Sequence, residues 1–156
     1  MGFLSFAGRV LFSAIFMLAA WQKINDFGKD GGGAMKALEP KFGTFKQHIA
    51  ATLGYNLPQF ELKYLLITAI TLEGIGALLF TFGSSLGAYM LLLFLAAVTP
   101  IMHDFYNFEL SSPEYSREFV HFLKNLSLAG ALLFFLGMKM SYSRKPRRKP
   151  AKVKAT

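Results

Sequence analysis

The chain contains no cysteine. That absence removes disulfides, thiol nucleophiles, Cys-ligated zinc and iron–sulfur clusters. Charge is scarce too: Asp, Glu, Lys and Arg make up 17% of the 156 residues, against 53% hydrophobic ones. No phosphate loop, catalytic triad or dinucleotide fingerprint is present. His103 and His121, with no cysteine nearby, are a weak metal signal, and neither a metal site nor a catalytic residue is predicted. No nucleic-acid partner is expected.

What the chain has instead is apolar length. Four apolar runs extend from about Phe3 to Ile24, Tyr64 to Phe82, Leu86 to Met102 and Phe119 to Met138. A bilayer core ~30 Å thick needs about 20 helical residues, and each run is near that length. Gly83-Ser84-Ser85 supplies a turn between the second and third. A soluble bundle would show a polar stripe on every helix, and LGAYMLLLFLAAV has none. The first run is read as a span and not a cleaved leader, because no basic stretch precedes it and Arg9 lies inside it. The fold class is therefore all-α, a four-helix transmembrane bundle with the lipid bilayer as its surroundings.

The segment between the first two runs is not a plain linker. After DGGG at 30–33, apolar residues recur at Met35, Leu38, Phe42, Phe45, Ile49 and Leu53. These spacings of three and four predict an amphipathic helix in the 1–2 loop, beginning before or kinking at Pro40. Such a helix lies on the membrane surface or caps the bundle. The domain reading is a four-span unit over 1–138 and a basic, disordered tail over 139–156. The tail holds eight of the 17 Lys and Arg and no acid, so the +8 net charge is essentially its own. By the positive-inside rule both termini are placed in the cytosol, with Lys23, Lys29, Lys36, Lys41 and Lys46 of the 1–2 loop as a weaker competitor. Lys152 and Lys154 in KVKAT have the spacing of a dilysine retrieval signal, which points to the endoplasmic reticulum.

Within the apolar runs a few polar residues stand out. Glu73, in ITLEGIGALLF, costs ~2.5–3.5 kcal/mol at a span centre, so it must face protein or water. Ala69, Gly76 and Ala77 beside it allow a second helix to come close. Ser5, Arg9 and Ser13 form a polar stripe on the first helix, and Arg9 is the expected partner of Glu73. His121, Lys124 and Asn125 enter the fourth helix, and His103 closes the third. Arg9, Glu73, Lys124, Asn125, His103 and His121 together make the candidate buried polar or ligand site. Three roles stay open for it: a pair that fixes helix register, a ligand or quinone site, and a proton or ion path.

Several stretches in order carry a resemblance: MGFLSFAGRVLFSAIF, WQKINDFGKDGG, FELKYL, LLFTFGSSLGAYMLLL, TPIMHDFYNF and KNLSLAGALLFFLGMK. Together they resemble the plant HR-like lesion-inducing family, small relatives of the DoxX membrane proteins. The resemblance implies a four-helix integral membrane protein linked to a cell-death phenotype in leaves. Some DoxX relatives are subunits of quinone-linked oxidoreductases, so quinone is the cofactor it implies. The inserted loop helix, the basic tail and the lack of cysteine separate this chain from those enzymes. Analogy of fold is not function. The reading is a multi-pass endomembrane adaptor or cofactor-binding subunit with a protein partner in the membrane. The alternatives are a quinone-linked oxidoreductase subunit and a small proton-coupled transporter.

Overall fold

The computed structural model describes residues 2–59 and 61–144. Lys152 and Lys154 lie outside the described residues. Among those described there are five α-helices and no strand: α1 Phe3–Asn25, α2 Gly32–Leu53, α3 Leu62–Thr81, α4 Ser85–Met102 and α5 Pro113–Arg144. A single 3₁₀ turn, Phe105–Asn107, joins the last two. Four of the helices, α1, α3, α4 and α5, are long and apolar enough to cross a membrane. Helix α5 exceeds its apolar run at both ends, starting at Pro113 and continuing through Arg144.

The tightest packing is between α3 and α4. Lipid tails are as apolar as leucine, so helices in a membrane gain little from hiding apolar surface and much from close fit. Small residues provide that fit here. Ala77 and Ala88 are fully buried, and Gly87 lies so near α3 that a Cβ on it would meet Phe80 N at 2.3 Å and Gly76 O at 2.7 Å. The hairpin closes through Gly83, whose φ of 81° only glycine adopts easily. Its N–H donates to Phe80 O at 2.8 Å, and Ser84 N–H donates to Leu79 O at 3.0 Å.

From that hairpin the other spans pack outward, α1 on α3 and α5 on α4. Phenylalanines fill the space left between them. The rings of Phe12 and Phe80 lie 5.2 Å apart and those of Phe80 and Phe135 4.8 Å, so Phe80 bridges α1 and α5. Leu91 and Leu132 are fully buried in the same core. On the outside, Leu11, Ile15, Leu18, Leu78, Leu133 and Phe134 are exposed, which fits contact with lipid.

Helix α2 packs against α3 and α4 at the loop end of the molecule, opposite the α3–α4 turn. Its direction is set by a glycine corner. Gly31 and Gly32 have φ of 86° and 61°, and the Gly33 N–H donates to Asp26 Oδ2 at 2.6 Å. A Cβ on Gly32 would collide with the Asp26 carbonyl oxygen at 1.8 Å. The helix runs through Pro40, with Phe42 buried beyond it.

The Gly87 contact yields a direct test. Gly87→Ala inserts a methyl group into α3 backbone and is expected to lower stability in detergent by roughly 1–3 kcal/mol. Gly130→Ala, on an exposed face of α5 with nothing within 4 Å, should be neutral or slightly stabilising. Equal melting temperatures for the two variants would contradict this account of the hairpin.

Candidate functional site

Glu73 sits near the middle of α3, 3% exposed, on the face that carries Ile70, Gly76 and Ala77. Its partner is Lys23, whose Nζ donates to Glu73 Oε2 at 2.6 Å. Arg9, the expected partner, is itself buried on α1, but at a different level. The Phe12–Phe80 ring contact and the approach of Ala20 Cβ to Gly74 at 3.4 Å set an antiparallel register between α1 and α3. In that register Arg9 is level with the α3–α4 turn, about ten residues from Glu73, or ~15 Å along the axis. Even a long side chain does not cover that distance.

Lys23 reads in the sequence as a loop lysine, and this too is corrected. It lies inside α1, two residues before its end. A signal was present. The buried residues of α1 are Arg9, Ser13, Phe16 and Ala20, spaced four, three and four apart, and the next step of three lands on Lys23. The polar stripe seen at Ser5, Arg9 and Ser13 continues along the helix to a second cation. Ser5, at the other end of that stripe, is exposed.

Beside Lys23 opens a cavity of about 470 Å³ between α1, α2, α3 and α4. Leu66 and Ala69 of α3, Phe94, Val98 and Met102 of α4, and Ala34, Ala37 and Leu38 of α2 make its apolar wall. Gln22, Lys23 and Asp26 from the end of α1, and His103 from the end of α4, are its polar groups. Glu73 is not on the wall; it lies behind Lys23. The ammonium stands 5.8 Å from the Phe94 ring centroid, a cation–π distance. A smaller apolar void shares Leu38, Ala69, Phe94, Val98 and Met102 with the cavity and continues toward Leu65 and Ile101.

A second polar cluster holds α2 over this space. Lys41 of α2 ion-pairs with the buried Asp104, and its Nζ lies 3.5 Å from Glu118 Oε1. Glu118 Oε2 in turn lies 3.2 Å from His103 Nδ1, and the His103 ring stacks on His121 at 5.4 Å. Nearby the Tyr106 hydroxyl donates to Pro100 O at 2.6 Å, and its ring packs on His48 at 4.5 Å. Among the described residues no group of three His, Asp or Glu can hold a metal ion.

The remaining candidates separate. His103 joins both the cavity wall and the clasp, whereas His121 touches only His103 among the candidates. Asn125 donates to Thr99 Oγ1 at 3.2 Å, a polar link between α5 and α4 on the far side of the cavity. Lys124 is exposed and does not enter the interior. On a helix that packs on one side only, a step of one residue from Asn125 turns a side chain outward. Lys41, Asp104 and Glu118 were not foreseen as a group, because their meeting depends on where α2 lands.

The Lys23–Glu73 pair predicts non-additive energetics. Lys23→Met strands a nearly enclosed carboxylate and should cost roughly 3 kcal/mol. Glu73→Gln should cost less, because the Lys23 side chain is 30% exposed at the cavity and can turn toward its mouth. The double variant should lose clearly less than the two single losses combined. Thermal unfolding of the four proteins in detergent measures this, and simple additivity would mean the groups are not coupled.

Comparison with known proteins identifies a family. No curated protein and no solved structure matches the chain. A family model described as HR-like lesion-inducing matches residues 1–138, from the start of α1 to near the end of α5. Coverage of every membrane-length helix in order makes this chain a member of the HR-like lesion-inducing family.

Proposed function

We propose that the protein is a multi-pass subunit of endomembranes that holds a small lipophilic molecule between α1, α2, α3 and α4. In this reading it serves stress or cell-death signalling as a non-enzymatic adaptor. The observation that carries it is the cavity of about 470 Å³. Ligand sites of ~300–1,000 Å³ with mostly apolar walls and a few placed polar groups are the usual form of small-molecule pockets. Membership of a family described as HR-like lesion-inducing supports the link to cell death and names no reaction.

A quinone-like ring meets a suitable lining. The cavity is mostly apolar, and Lys23, Gln22 and His103 place donors on it. When bound, such a group would supply reversible two-electron chemistry. The chain's own part is to orient a carbonyl at Lys23 and to exclude water with Leu38 and Met102. The loop helix α2, with Phe42 buried and Leu38 on the cavity wall, closes the site in this reading and is held there by Lys41.

The test is what stays bound. Full-length protein purified from native membranes should carry a lipophilic molecule, detectable in an optical spectrum or an organic extract. Ala69→Phe puts a ring into the cavity and should reduce the retained amount at least fivefold while leaving the melting temperature of the empty protein nearly unchanged. An extract that is empty, or identical for both proteins, would count against the ligand-holding role.

The tail supports a proposal about location. In this reading both termini face the cytosol, where Lys152 and Lys154 would act as a retrieval signal for the endoplasmic reticulum. Lys152→Ser with Lys154→Ser leaves six of the tail's eight basic residues, so anchoring should persist. Imaging should then show the variant in later secretory compartments. Unchanged residence would remove retrieval from the account.

A further inference from the structure

The cavity has an electrical character as well as a shape. We propose that it selects neutral lipophiles bearing a carbonyl or ester oxygen and rejects carboxylates of the same size. This rests on the ligand-holding reading above.

The inner end of the cavity is defined by Lys23. Its ammonium is a donor-only group with three N–H bonds, one of which is given to Glu73 at 2.6 Å. Lys23 lines the cavity and Glu73 does not, so a ligand meets a donor whose charge is already balanced from behind. A carbonyl oxygen accepts from that donor and adds no net charge. A carboxylate also accepts, but it makes two anions for one cation at a depth where the flanking wall is Ala69, Leu66 and Phe94. An extra unpaired charge in such surroundings is strongly disfavoured. Asp26 reinforces the bias. It is the one carboxylate on the wall, exposed where α1 ends, and its Oδ2 already accepts from the Gly33 N–H at 2.6 Å.

Shape sets the rest of the class. Lys23 stands at the level of Phe94, and His103, at the other end of the wall, is nine residues further along α4, or ~13 Å. Between them the α4 wall is Val98 and Met102. The matching molecule is elongated and apolar, with its acceptor at the Lys23 end.

The experiment uses the purified full chain in one detergent with three probes of equal chain length: methyl nonyl ketone, undecanoic acid and undecane. Retention is read by native mass spectrometry at alkaline pH, where the acid is ionised, with thermal shift as a second readout. The ketone should be held about tenfold more tightly than either of the others, the scale of one hydrogen bond to a charged group. In Glu73→Gln the charge behind Lys23 is gone, and the acid should overtake the ketone. Lys23→Met should erase the ketone's advantage over the alkane. An acid held as tightly as the ketone by the unmodified protein would overturn the proposal, as would an alkane equal to the ketone. If none of the three is retained, the ligand-holding reading falls with it. The ranking in the unmodified protein decides the matter even if Glu73→Gln does not fold.

Discussion

A carboxylate in the middle of a membrane-length helix is the constraint around which this molecule is arranged. Glu73 needs a cation within hydrogen-bond reach, because lipid offers no water to screen it. Lys23 satisfies that need only if α1 and α3 run antiparallel at one particular offset. The offset brings Ala20 against Gly74 and Phe12 against Phe80. It also leaves the last turn of α1 short of the start of α3, and this shortfall is what opens the cavity. The chain then turns at Gly31 and Gly32 and sends α2 across the gap. The ion pair, the cavity and the loop helix are thus consequences of one register.

The two ends of the molecule differ in kind. Toward the α3–α4 turn the interior is packed with rings and small residues, and Lys139 Nζ donates to the Gly83 carbonyl there. Toward the loops the interior is looser and more polar, with Lys41, Asp104, Glu118 and His103 in one cluster. Tight packing suits a fixed scaffold and a polar clasp suits a part that closes. The close glycine contact at Gly87 lies in the first region and the cavity in the second. The closest packing and the cavity are therefore separated along the helix axes.

The four spans were legible because apolar length is a property of each segment alone. So was the inward direction of Glu73, since the cost of a charge in lipid applies whatever surrounds it. Its partner was not, because pairing depends on the offset between two helices, and that offset is set by packing of Ala20, Phe12 and Phe80. Arg9 and Lys23 share a face of α1, and the sequence alone does not say which is level with Glu73. The stripe at Met35, Leu38 and Phe42 indicated a helix, yet not that Lys41 on it would reach Asp104 across more than sixty positions of chain. Lys124 was misplaced for a simpler reason. Helix α5 packs on one side only, and adjacent residues in a helix point about 100° apart.

Three of the four polar groups of the cavity share one arrangement. Lys23 is tied to Glu73, His103 to Glu118, and Asp26 to the Gly33 N–H. In the two side-chain pairs the partner lies outside the wall. Each of these three groups is thus positioned by a contact that a ligand would not have to break, which would keep the ordering cost of binding low. The wall offers hydrogen-bonding capacity with its positive charge already compensated. The buried carboxylate Glu73 is itself off the wall and is tied to the lysine that faces the open space.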